Sequence, residues 1–178
     1  MMKPLFTVLC FLIVLLGRAQ IKPMADSLAT DSIAPSLVDS LLQYAEKYLG
    51  RPYGFGATGP NSFDCSGFVQ HVYGHFGVPL PHGSTTQSGF CETVDLRTAR
   101  PGDLIFFNGR KRNGQIGHVA IVHHWEKEEL FIIHATVQAG VLLENMHKSA
   151  YFLPRFVRVG RLIKGLPTNV QTIQEKKP

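Results

Sequence analysis

Asp64-Cys65-Ser66-Gly67 is followed by Phe68, Val69, Val72, Tyr73 and Phe76 at helical spacing, which puts a cysteine in the first turn of an amphipathic helix. Backbone N–H groups and the dipole at a helix N-terminus favour a negative sulfur, so the position predicts a thiol of low pKa, a nucleophile. Two histidines follow, each inside a β-branched or aromatic run: Gly117-His118-Val119 and Ile133-His134-Ala135. A thiol and two strand imidazoles are the parts of an acyl-transfer apparatus. Cys65 would attack a carbonyl, His118 would hold the proton and return it to the leaving amine, and His134 would fix the tautomer of His118. The N–H of Cys65 and the hydroxyl of Tyr53 would face the developing oxyanion.

Each residue also has a plainer reading. A cysteine or histidine within an apolar element is usually a satisfied core residue, Tyr53 can cap a turn, Asp64 is a good N-cap, and Ser66 is a first-turn polar residue. It is the combination, in this order, that points to chemistry. His71 and His75 have the i, i+4 spacing that a helix offers a metal, but no acidic residue joins them in a recognisable motif, so placement on the helix surface is expected. Strand alternation predicts that His124 shares a face with His118 and that His123 faces away; His118, at the strand start, is the preferred base.

The elements that must position these residues are preceded by an export signal. Lys3, an apolar run from Leu5 to Leu16 and Gly17-Arg18-Ala19 read as a signal peptide over 1–19, removed after Ala19. Its apolar run is too short for the roughly 20 residues that span a bilayer, so no lasting membrane anchor is expected and the mature protein belongs in the periplasm or outside the cell. Cleavage lowers the basic count from 18 to 16 against 13 acidic residues and the formal charge from +5 to +3. That balance does not call for nucleic acid. Of the two cysteines left, Cys65 and Cys91, a disulfide is the default in an exported chain, but the helix-start context of Cys65 predicts a free thiol.

Residues 20–35 mix Ser, Thr, Asp, Ala and Pro without periodicity and read as a flexible leader; 166–178 read as a loose tail. Between them, 36–165 suffices for one core. Leu37, Val38, Leu41, Leu42, Ala45, Tyr48 and Leu49 form one face of a helix from Ser36 to Leu49, and a glycine-rich loop, Tyr53 to Pro60, leads to the Cys65 helix. Strands are expected at Asp103–Phe107, His118–His124, Leu130–Thr136, Gly140–Leu143 and Arg155–Ile163. Two helices and then strands predict an α+β domain with the helices on one side of a mainly antiparallel sheet. In a hairpin, His118 and His134 share a face when the loop is odd-membered; a turn centred on Glu126 would set them directly opposite.

These stretches together resemble the NlpC-type papain-like cysteine peptidases of bacterial cell walls, from about Leu49 to Ile163. Phe63-Asp64-Cys65-Ser66-Gly67-Phe68-Val69 is similar to the nucleophile motif and Gly50-Arg51-Pro52-Tyr53-Gly54-Phe55-Gly56 to the loop before it, with Phe55 where tryptophan is commoner. Leu80-Pro81-His82-Gly83-Ser84-Thr85-Thr86-Gln87 resembles a cleft segment that usually has Arg at His82. Arg100-Pro101-Gly102-Asp103 opens a strand as in the family, Ile116-Gly117-His118-Val119 resembles the base motif, and Ile133-His134-Ala135 the third catalytic position. The resemblance implies a papain-like fold with a five- to six-stranded sheet. It also implies hydrolysis of peptidoglycan stem peptides, most often between D-γ-glutamyl and diaminopimelyl or lysyl residues, without a metal or organic cofactor; a monomer is the default for a small hydrolase. Tyr53 would assist at the oxyanion, and Asp64, Ser66 and Ser84 would contact the stem peptide. An acyl transferase on the same scaffold and a non-catalytic wall-binding module are the alternatives.

Overall fold

The computed structural model describes residues 36–162; the expected signal peptide, leader and tail lie outside the described residues. Helix α1, Leu37–Glu46, opens on a capping box: the Ser36 hydroxyl accepts from the Asp39 N–H, and the Asp39 carboxylate accepts from the Ser36 N–H. It ends earlier than the expected Leu49. Its last turn is closed instead by tighter bonds, from Tyr48 N–H to Ala45 O and from Leu49 N–H to Glu46 O. Helix α2, Cys65–His75, buries Phe68, Val69, Val72 and Tyr73 completely. Each such side chain contributes about 1.5–3 kcal/mol by leaving water.

The strands are β1 (Cys91–Val94), β2 (Leu104–Asn108), β3 (Ile116–Glu126), β4 (Glu129–Thr136), β5 (Gly140–Asn145) and β6 (Phe156–Leu162). They form one antiparallel sheet in the order β1-β6-β2-β3-β4-β5. The α+β class with helices against an antiparallel sheet is as the sequence predicts. Two short elements were not expected: the edge strand β1, and α3 (Ser84–Ser88), a single turn within the cleft-like segment.

Both faces of the sheet are apolar. Leu104, Phe106, Val119, Ile121, Ile133 and Ala135 pack against α1 and α2. Ile105, Phe107, Ala120, Val122, Leu130, Ile132 and Val159 face the other way, under Met146 and Phe152 from 3₁₀ turns after β5. The Arg100-Pro101-Gly102-Asp103 signature has a structural use. Buried Asp103 accepts the Arg100 N–H at 2.7 Å and two bonds from Arg161, at 2.8 and 2.7 Å, tying β6 to the entry of β2.

The β3–β4 hairpin departs from expectation. Its loop has two residues, Lys127 and Glu128, both with positive φ (46° and 66°), an arrangement usually carried by Asn-Gly. An even loop alone would put His118 and His134 on opposite faces. A bulge at His123 corrects this: the register runs Trp125↔Leu130 and His124↔Phe131, then shifts to Val122↔Ile132 and Ile121↔Ile133. Continued along the strand, this register sets Ala120 opposite His134. His118, two residues on, lies diagonal to His134 on the same face rather than directly opposite it.

Candidate active site

The Cys65 end of α2 is held from several sides. The Asp64 carboxylate accepts from Gly67 N–H (2.7 Å), the Ser66 hydroxyl (3.0 Å) and Gly56 N–H (3.0 Å), and it meets His82 Nε2 at 2.8 Å. Burial opposes ionisation of Asp64, but the bonds from Gly67, His82 and Ser66 together hold its carboxyl below the ordinary value. Asp64 thus caps the helix and anchors the glycine-rich loop at once. Gly67 permits the close approach: a Cβ there would lie 2.1 Å from the carbonyl oxygen of Ala57. Fully buried Gln87, which no chemical reasoning from the sequence singled out, donates to Ser66 O and Pro81 O, both at 2.9 Å, and fastens the cleft segment to the same helix turn.

The backbone N–H groups of Val119, Ser66 and Cys65 itself act on the Cys65 sulfur. These lower its pKa, but burial is larger and Asp64 adds to it, so the thiol is pushed up to about 11. The expectation of a ready-made thiolate is therefore corrected: the helix terminus is present, but at the half-buried Cys65 the loss of water outweighs it and the neutral form prevails. Cys65 and Cys91 are both free; the Cys91 thiol is buried against the Gln87 carbonyl at 3.6 Å. Tyr53 lies close enough to Cys65 and Asp64 that, after burial, their charges are the next causes raising its hydroxyl.

The base candidate is on β3, where Val119, whose N–H acts on the Cys65 sulfur, directly follows His118. His118 Nε2 lies 2.8 Å from His134 Nδ1, and His134 Nε2 lies 3.1 Å from Glu144 Oε2. Phe152 covers both rings, with centroids 4.9 and 4.7 Å away. Burial, and then His134, depress the His118 pKa well below its ordinary value; burial also lowers that of the fully enclosed His134, against an opposing pull from Glu144. At neutral pH the thiol and both imidazoles are neutral, forms between which a proton can pass as a bond forms on sulfur.

The remaining candidates fall elsewhere. Ser84 is half-buried and opens α3. Phe55 is 97% exposed on the loop before α2. His71 Nε2 bonds the Tyr48 and Tyr44 hydroxyls at 2.8 and 3.2 Å, and exposed His75 stacks on Tyr44, so this pair belongs to an aromatic cluster. His124 is corrected too: after the bulge it stacks on Phe131, on the face away from His118. A cleft of about 880 Å³ lined by Arg97, Arg100, Trp125 and His147 sits at the far end of β3 and contains none of these residues.

A helix-start cysteine packed against an antiparallel sheet that carries a buried histidine pair defines a papain-like α+β domain. The chain belongs to the NlpC/P60 family, whose model matches residues 50–161. It is 39% identical over 123 residues to the "Probable endopeptidase p60" of Listeria innocua, covering 67% of this chain and 24% of that protein. It is 33% identical over 125 residues to the "Bifunctional muramidase/DL-endopeptidase CwlT" of Bacillus subtilis, covering 70% and 36%. The chain thus spans about a quarter to a third of the length of these relatives. Among solved structures, an NlpC/P60 family protein from Bacillus cereus superposes with a TM-score of 0.65 at 28% identity over 75% of this chain and 42% of that one. The NlpC/p60 domain of the peptidoglycan hydrolase SagA gives 0.59 at 26% identity over 70% and 98%.

Proposed function

We propose that the protein is an exported cysteine endopeptidase that hydrolyses peptide bonds in peptidoglycan stem peptides, at D-γ-glutamyl-diaminopimelate or D-γ-glutamyl-lysine bonds. The observation that carries the reading is the 2.8 Å contact between His118 and His134, one residue along β3 from the N–H that reaches the Cys65 sulfur. Relatives named as endopeptidases, one of them a DL-endopeptidase, support the substrate class. In this reading 1–19 are removed on export, 20–35 are a leader, 36–165 are the catalytic domain and 166–178 a tail, and the protein works as a monomer in the cell envelope.

The Cys65 proton passes to His118 as the sulfur electron pair attacks the scissile carbonyl. The oxyanion forms against the Cys65 N–H and the Tyr53 hydroxyl. As the tetrahedral carbon collapses, the C–N bond breaks and His118 returns its proton to the departing amine, leaving a thioester. Water then attacks the thioester, His118 takes its proton, and the acid leaves as Cys65 recovers the thiol. A neutral resting pair makes each proton transfer part of the bond-making step. Ser84 and the Asp64–Ser66–His82 network form the stem-peptide side of the cleft, with His82 as its most exposed member.

Digestion of purified peptidoglycan by the wild-type protein and by Cys65→Ala, with mass spectrometry of the fragments, tests this. The expected result is new N-termini on the diamino acid from the wild type alone. Release by neither protein from several wall types would replace the reading with the transferase or binding alternatives.

A further inference from the structure

We propose that Glu144 is a positioning residue whose carboxylate sets the direction of the protons along the His134–His118 pair, so that Nδ1 of His118 is the bare nitrogen offered to the Cys65 thiol. The inference rests on the functional reading above. Glu144 carries no sequence motif, and the strand expected at Gly140–Leu143 stops one residue short of it. In the sheet Ile132 faces Glu144 and His134 faces Leu142, so Glu144 is diagonal to His134 on the same face.

An ionised carboxylate only accepts, and the bond from His134 together with one from Ser149 holds Glu144 ionised against its partial burial. His134 must therefore carry its proton on Nε2, 3.1 Å from Glu144 Oε2. Being neutral, it then has a bare Nδ1, which accepts from His118 Nε2 across 2.8 Å. His118 is left with an unprotonated Nδ1, the ring nitrogen nearer the main chain, and the N–H of the next residue, Val119, is one of the groups that act on the Cys65 sulfur. Without the carboxylate the pair can run in reverse, with Nδ1–H on both rings. His118 then has no lone pair for the thiol proton. The same charge stabilises the imidazolium formed during attack, through two hydrogen bonds. In the adjoining turn Lys148 is paired with Glu129 at 2.8 Å, and His147 Nδ1 accepts from the Leu130 N–H at 2.8 Å.

Nitrogen-15 NMR of the full chain with labelled histidines reads the tautomers without substrate. The expected wild-type result near neutral pH is Nε2–H on both His118 and His134; Nδ1–H on either would overturn the proposal. Glu144→Gln, whose amide can donate as well as accept, is expected to mix the tautomers and lower kcat about ten- to a hundredfold, the worth of one charge-assisted bond, with KM within about twofold. Unchanged tautomers and kcat in Glu144→Gln beside an active wild type would also overturn it. The two readings fail separately: the expected tautomer changes in a wild type that cleaves no peptidoglycan sustain the role of Glu144 and refute the hydrolase.

Discussion

Each end of β3 holds two imidazoles and a glutamate. At one end are His118, His134 and Glu144, with separations of 2.8 and 3.1 Å; at the other His123 and His124 meet through Nδ1 at 2.7 Å and Glu46 lies 2.8 Å from His123 Nε2. Residue types and distances barely distinguish them. What differs is how each is assembled and enclosed. The first joins three strands, is roofed by Phe152 and lies one residue along β3 from the N–H that acts on the Cys65 sulfur; the second joins neighbours on one strand to a half-exposed glutamate on α1. A histidine pair becomes a candidate base only where a nucleophile shares its enclosure, since exclusion of water is what strengthens such a relay.

The sharpest test of that contrast exchanges one imidazole at each end. His118→Ala is expected to lower kcat/KM about 10⁴-fold, the upper range for loss of a general acid–base, while His123→Ala leaves it within about twofold. Peptide release followed by mass spectrometry measures both, and equal losses would dissolve the distinction between the two ends.

Much of the first cluster was legible in the sequence and much of the second was not, for a reason that lies in β3 itself. Cys65 could be placed from local rules, because Asp64 as N-cap and the spacing of Phe68, Val69 and Val72 need no knowledge of the rest of the fold. The histidines depended on parity along a hairpin, and two departures entered there. Lys127 and Glu128 adopt a two-residue turn that their types do not advertise, and His123 is an extra residue that restores the parity the turn removes. The departures cancel for His118 and His134 and do not cancel for His124, so one inference survived while the other reversed. The low thiol pKa failed differently: a helix dipole can be read locally, whereas how far the rest of the fold shields Cys65 from water is a tertiary fact.

The aromatic partners extend the comparison from chemistry to packing. Phe152→Ala removes a buried ring shared by His118, His134 and Phe107 and is expected to cost about 3–5 kcal/mol, with a parallel loss of kcat as the pair loosens. Phe131→Ala, at the half-buried ring stacked on His124, is expected to cost roughly 1–3 kcal/mol and leave kcat unchanged. Denaturant unfolding alongside turnover separates the two effects.

A smaller, pH-dependent signature should belong to the enclosed pair. His118 and His134 have folded pKa values below the ordinary 6.5, so on acidification the unfolded chain takes up protons before the folded one does. Their contribution to stability is therefore complete above about pH 6.5 and declines as pH falls from there toward the depressed folded values. Melting temperature is expected to drop between about pH 7 and 5 in the wild type and to drop less in His118→Asn. A slope untouched by that substitution would mean that enclosure does not set the protonation of His118.

The smallest effect is expected at Glu46, the counterpart of Glu144. Its carboxylate is 43% exposed, and such a pairing typically contributes less than about 1 kcal/mol because water and salt screen it. Glu46→Ala should therefore shift unfolding only slightly, with kcat and the His118 tautomer unchanged, whereas Glu144→Gln moves both of the latter. The informative outcome is the pair of results. If removing either glutamate altered His118 alike, the histidines would be coupled along β3 through its bulge, and the two ends would have to be treated as one network. If only Glu144 acts, a carboxylate behind an imidazole matters when that imidazole is buried and passes its orientation to a base beside a nucleophile.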